Sequence, residues 1–102
     1  MILNIYKPKG ITSFGVVKKI RKIISEKKVG HGGTLDPFAE GVLNNGTGSD
    51  TKELKKFTNT DKAYTASIEL GKTTDTLDPE GDVLEKKKIP RLTESKINKV
   101  LE

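Results

Sequence analysis

HGGTLDPFAEG, residues 31–41, gathers the chain's single histidine, three of its ten glycines and one of its four prolines around one aspartate, Asp36. Gly32, Gly33 and Gly41, with Gly30 just before the stretch, permit backbone angles closed to other residues or the close approach of a ligand. Pro37 fixes its own φ and biases Asp36 toward an extended conformation. Together they would hold the Asp36 carboxylate in one direction. An ordinary turn with Asp in a turn-favouring context has the same composition, so the stretch alone does not choose between a turn that carries an aspartate and a turn built to present one.

Several chemistries are excluded here. No G-x-x-x-x-G-K-[ST] is present, so the loop is not a phosphate-binding P-loop, and Gly30-His31-Gly32 lacks the third glycine of a dinucleotide fingerprint and follows a basic segment instead of a strand. No second acid lies nearby at a spacing that marks it as the partner for paired acid–base hydrolysis. One histidine makes no His-rich metal site, and the absence of cysteine removes thiol nucleophiles, thiolate metal sites and disulfides. Nucleophilic catalysis by a carboxylate remains open.

Working outward, Ile2, Leu3, Ile5 and Tyr6 read as a short strand ended by Lys7-Pro8-Lys9-Gly10. Thr12 or Ser13 then caps a helix from Phe14 to about Glu26, with Val16, Val17, Ile20, Ile23 and Ile24 at helical spacing. Lys18, Lys19, Arg21 and Lys22 fall mostly off that stripe and form a basic face, either simply solvated or aimed at phosphates. Residues 29–41 read as a loop. Val42 and Leu43 restart an apolar segment that Asn44-Asn45-Gly46 stops, Asn-Gly being a hairpin-turn signal. Residues 50–59 read as a short helix, with Asp50 and Glu53 spaced like a capping box and Leu54 and Phe57 inward. Tyr64, Ala66, Ile68 and Leu70 alternate with polar residues and give the clearest strand pattern in the chain. Residues 73–82 form an acidic loop, Val83 and Leu84 begin another strand, and Thr93 caps a last helix with Leu92 and Ile97 as its hydrophobic staple. That helix still reads as helix at Glu102, so the sequence reads as truncated in mid-element.

The 102 residues suffice for one small domain, and with apolar residues at only 32% its core is thin. A net charge of +5 and a pI near 9.4 fit a polyanionic partner without proving one. No apolar run approaches the ~20 residues of a membrane span, and MILNIYKPKG has no signal-peptide pattern; a cytoplasmic protein is expected. Asp75, Asp78 and Asp82 with Gly81 do not match the spacing of an EF-hand loop, and an acidic turn accounts for them better. Tyr64 is either a packed or cross-strand aromatic or a platform for stacking a base.

Four segments together resemble one known family: K-P-K-G-I-T-S (7–13), G-H-G-G-T-L-D-P-F-A-E-G-V-L (30–43), D-K-A-Y (61–64) and L-G-K-T-T-D-T-L-D-P-E-G (70–81). In this order they are similar to the bacterial tRNA pseudouridine-55 synthases of the TruB type, and the resemblance covers only the N-terminal part of those enzymes. It implies an α+β fold with a mixed, mainly antiparallel sheet and two or three helices: residues 1–102 as part of a pseudouridine synthase catalytic domain, with the C-terminal half and the RNA-binding domain absent. It implies isomerisation of a uridine in the tRNA T-loop, with the N–C glycosidic bond replaced by a C–C bond and the target base flipped out of its stack, without metal or cofactor.

By the same resemblance Asp36 matches the catalytic aspartate, acting as nucleophile or otherwise initiating cleavage. Tyr64 matches the tyrosine that stacks on the base and has been assigned a proton-transfer role. His31 matches the residue that enters the T-loop, and Asp78 an acidic residue bordering the site. Lys7 and Pro8 match a segment that braces the catalytic loop, with Gly32, Gly33 and Pro37 supporting that loop. Lys18, Lys19, Arg21 and Lys22 would add phosphate contacts to the tRNA T-stem-loop. Two departures stand out. The arginine expected to pair with the catalytic aspartate lies beyond the chain, so the chain alone is expected to be inactive, and a non-catalytic RNA-binding or structural fragment is the alternative. Asn44-Asn45 replaces apolar residues of a sheet strand, and an unpaired buried amide costs roughly 1–3 kcal/mol. With half the sheet absent, an exposed strand edge and self-association are expected.

Overall fold

A computed structural model describes all residues, Met1–Glu102. The chain divides into two compact units, Met1–Tyr64 and Thr65–Glu102.

In the first unit, β1 (Ile2–Lys7) and β2 (Val29–Gly32) both pair antiparallel with β3 (Gly41–Thr47), giving the order β1-β3-β2. The registers Leu3↔Asn45, Ile5↔Leu43, Val29↔Thr47 and His31↔Asn45 put these side chains on one face. Helix α1 (Ser13–Ile24) covers that face, and Val16, Val17 and Ile20 close the core with Val29 and Leu43. The Thr12 hydroxyl caps α1 by accepting from the Gly15 amide at 2.9 Å. Of the expected apolar stripe only its first three members are buried; Ile23 is 79% exposed.

The opposite face explains the glycines. A 3-10 helix (Gly48–Leu54) folds back over the sheet and seats Leu54 on Gly30, Gly32 and Gly46. Residues 29–32, expected as loop, are therefore an edge strand, and Asn44-Asn45-Gly46, expected to end a strand, lie in the central one. Tertiary pairing on both sides of β3 overrides the local turn signal. Asn45 is fully buried; its Nδ2 donates to the Leu43 carbonyl at 2.9 Å, while its Oδ1 is buried without a partner.

The expected helix over residues 50–59 is the end of that 3-10 segment followed by the single turn α2 (Lys55–Thr58), and no capping box forms. Asp50 instead accepts from the Met1 amine, and Glu53 pairs with Lys56. Leu54 is buried as expected.

In the second unit, β4 (Lys72–Thr74) and β5 (Val83–Lys86) form an antiparallel hairpin with an irregularity between Thr73 and Thr74. Helix α3 (Glu94–Leu101) is capped by the Thr93 hydroxyl, which accepts from the Lys96 amide at 3.3 Å. None of the buried apolar core lies in this unit. The expected strand from Tyr64 to Leu70 is not formed; these residues are exposed and carry no regular element. Alternation marks a face that could be buried, but a strand also needs a neighbour to take its backbone hydrogen bonds, and none lies beside this segment. The fold is α+β, with three α-helices and all strand pairs antiparallel. No helix is long and apolar enough to cross a membrane.

Candidate active site

Asp36 lies on the link between β2 and β3, and the link is pinned on both sides of it. On one side, the buried Ser13 hydroxyl accepts from the Leu35 amide at 2.9 Å and is 3.0 Å from the Leu35 carbonyl, to which it donates. On the other, the Pro37 carbonyl accepts from the Gly10 amide at 2.7 Å and from Lys7 Nζ at 3.5 Å. Lys7 is fully buried, and its ammonium also reaches the carbonyls of Pro8 at 3.0 Å and Ile11 at 2.8 Å. Three donors thus meet three carbonyls, and the KPKGITS segment becomes a cradle for the aspartate loop. Between the pins, the Ala39 amide donates to the Asp36 carbonyl at 2.9 Å, closing a turn with Pro37 at its second position. The Asp36 side chain is exposed, accepts no hydrogen bond and forms no ion pair.

His31 ends up half-buried on β2, with Nδ1 hydrogen-bonded to the Gly33 carbonyl. A carbonyl only accepts, so Nδ1 carries the proton, and in the neutral ring Nε2 is left as the acceptor. Gly33, at φ +90°, makes the left-handed bend that brings this carbonyl back to the ring.

A cleft of about 330 Å³ opens beside the loop, at the small end of the range for ligand pockets. Its walls are Gly32–Leu35 and Glu40–Asn44 on one side, Phe57 and Thr60–Tyr64 on the other. Tyr64 therefore shares a cleft with Leu35, the residue before Asp36, although Asp36 is itself one residue outside the lining. Tyr64 is 72% exposed. At the far end of the loop the Tyr6 hydroxyl donates to Glu40, and Lys9 stands 3.8 Å from the same carboxylate. That hydrogen bond, with the carboxylate's charge, pushes the Tyr6 phenol above its ordinary range.

The basic face of α1 is not uniform. Lys18, Lys19 and Lys22 are exposed. Arg21 is half-buried, donates to the Val29 carbonyl at 3.2 Å and lies 5.5 Å from the Phe14 ring centre, so it ties α1 to β2. Lys18 lies over the same ring at 5.3 Å. Asp78 belongs to the second unit, where it accepts from the Thr76 hydroxyl at 2.6 Å and from the Glu80 amide at 2.9 Å. The Thr76 hydrogen bond first, then that of the Glu80 amide, holds its carboxyl below the usual Asp value. Asp75 likewise accepts from the Asp82 amide at 2.9 Å, so these acids order their own turn.

Two features of the site escape a reading by pattern alone. Thr12 or Ser13 reads as the helix cap; Thr12 takes that role, and Ser13 instead holds Leu35. Glu40 carries no signal in sequence, since its bond to Tyr6 joins the link before β3 to the distant strand β1.

A family model described as TruB family pseudouridylate synthase (N terminal domain) matches residues 21–102. Among curated proteins, a tRNA pseudouridine synthase B of Dehalococcoides mccartyi is 49% identical over 98% of this chain and 33% of its own length. Relatives with the same name from Clostridium tetani, 47% identical over 94% of the chain, and Lactococcus lactis, 45% identical over 98%, are covered over 33% and 31% of theirs. The chain thus spans about a third of the length of the curated relatives it matches. With these similarities running along nearly its whole length, the chain belongs to the TruB family of pseudouridine synthases.

Proposed function

We propose that the chain supplies the aspartate loop and part of the base-binding cleft of a tRNA pseudouridine synthase, as the N-terminal part of its catalytic domain. The observation that carries this reading is the double pinning of the loop: buried groups from one segment fix the backbone before and after Asp36 and leave only its carboxylate free. Such a carboxylate is preorganised for attack on a group brought to it. The substrate is a uridine of the T-stem-loop, everted from its stack so that its glycosidic bond reaches Asp36. The reaction breaks that N–C bond and re-forms the link as C–C, so substrate and product are isomers and no co-reactant is consumed.

In this reading Tyr64 stacks on the base and His31 fills space in the emptied loop. Lys18, Lys19 and Lys22, exposed on α1, meet phosphates. The edge strands β1 and β2 favour self-association, which sedimentation velocity tests. For the main proposal, the chain is joined to the remaining two-thirds of the Dehalococcoides mccartyi relative and assayed on a tRNA T-stem-loop. Asp36→Asn in that polypeptide binds the RNA and makes no pseudouridine; conversion at the parent rate sinks the proposal. Salt-dependent binding of the RNA is expected from the phosphate contacts, each of which releases counterions.

A further inference from the structure

We infer that Ser13 is a positioning residue for Asp36: its buried hydroxyl holds both backbone groups of Leu35 and so fixes the peptide plane from which the aspartate departs. The inference rests on the proposed role of Asp36.

The geometry is specific. Ser13 is 4% exposed and is the first residue of α1, with its backbone anchored by the helix that Thr12 caps. Its hydroxyl has one proton and two lone pairs. The proton goes to the Leu35 carbonyl at 3.0 Å, and a lone pair takes the Leu35 amide at 2.9 Å. The side chain thus does for Leu35 what a neighbouring strand would do, at a point where the link between β2 and β3 has no strand beside it. The Leu35 carbonyl and the Asp36 amide belong to one planar peptide unit. Holding that carbonyl sets the orientation of the bond entering Asp36. The peptide unit leaving Asp36 is restrained by Pro37 and by the Ala39 amide on the Asp36 carbonyl. Both backbone torsions of Asp36 are then bounded, and the carboxylate direction is left to side-chain rotation alone. Leu35 also lines the cleft, so the same hydroxyl fixes the aspartate loop and the cleft wall together.

The test has two arms. In the parent chain, hydrogen exchange read by NMR should find the Leu35 amide protected and the exposed Thr34 amide fast; equal, fast exchange of both overturns the inference. In the polypeptide joined to the Dehalococcoides mccartyi remainder, Ser13→Ala should lower the single-turnover rate by about 10–100-fold, the scale of a misplaced reacting group, with RNA affinity within about twofold. Ser13→Thr, which keeps the hydroxyl, should retain Leu35 protection and most of the rate. A full rate in Ser13→Ala beside an inactive Asp36→Asn overturns the role of Ser13 and leaves that of Asp36 standing. Activity in Asp36→Asn removes the reading on which the inference rests. Should Ser13→Ala fail to fold by circular dichroism, the parent exchange pattern and Ser13→Thr decide: a folded, protected Thr variant that has lost its rate counts against the inference.

Discussion

Leu54 sits directly over Gly46: a Cβ at residue 46 would stand 3.1 Å from the Leu54 Cγ and 2.9 Å from the Asp50 carbonyl oxygen. The oxygen belongs to backbone and cannot rotate away, so room at residue 46 exists only for glycine. Gly46→Ala is expected to destabilise the first unit by about 1–3 kcal/mol, the usual cost of overpacking, read as a lower urea midpoint at unchanged slope. At Gly32 the nearest atom to an added Cβ is 3.4 Å away, so Gly32→Ala should cost clearly less. Equal effects at the two positions would contradict the seating of Leu54.

The two asparagines of β3 face opposite sides of the sheet and should respond differently. Asn45 lies fully buried on the α1 face with an unpartnered Oδ1. Replacing it by Leu, of similar shape, removes a desolvated acceptor at the loss of one hydrogen bond to the Leu43 carbonyl. A gain of about 1 kcal/mol follows, which for a unit this small is a rise of roughly 4–8 °C in melting temperature. Asn44 is only half-buried on the other face, and Asn44→Leu should move the melt little. A gain at residue 44 with none at 45 would place the wrong asparagine inside.

These residues also mark how far the sequence could be read. Helix α1 was legible because its cap and its apolar spacing are both local properties of residues 12–20. Asn45-Gly46 reads as a turn and Gly30-His31-Gly32 as a loop, since by propensity glycine and asparagine avoid strands. Pairing on both sides of β3 puts them in the sheet, and Leu54 takes the floor that Gly30, Gly32 and Gly46 leave bare; neither is visible until the chain folds back. The opposite failure occurs at residues 64–70, where the alternation is ideal and the neighbouring strand is lacking. At the site, the glycines and Pro37 leave an ordinary turn and a presented Asp36 equally open, because the anchors on Leu35 and Pro37 are contacts between distant segments and have no local pattern.

Asp78 provides a pH test in the second unit. Its carboxyl is held below the ordinary Asp value by hydrogen bonds from Thr76 and the Glu80 amide, which favour the charged form. A depressed folded value means that the support it gives the turn is present above the unfolded value, about 3.9, and is lost as pH falls through the lower, folded one. The Glu80 amide resonance should therefore shift with a midpoint below that of a free aspartate. Asp78→Asn should abolish the shift. A midpoint at or above the ordinary value would mean that these hydrogen bonds do not form in solution.

The last expectation concerns activity. Asp36 is fixed in direction but faces water with no cation and no hydrogen-bond donor on its carboxylate. Positioning alone leaves out the electrostatic part of catalysis, which needs preorganised charges in a site closed to solvent. In water the attraction between unit charges falls to about 1 kcal/mol at 4 Å, against several-fold more near a protein interior. The 102-residue chain by itself is therefore expected to convert no uridine. The same chain joined to the rest of a relative should turn over T-stem-loop RNA, as the proposed function requires. Carbodiimide labelling of pseudouridine after prolonged incubation distinguishes the cases. Conversion by the isolated chain above a protein-free control would mean that the pinned loop and its open cleft suffice for the chemistry.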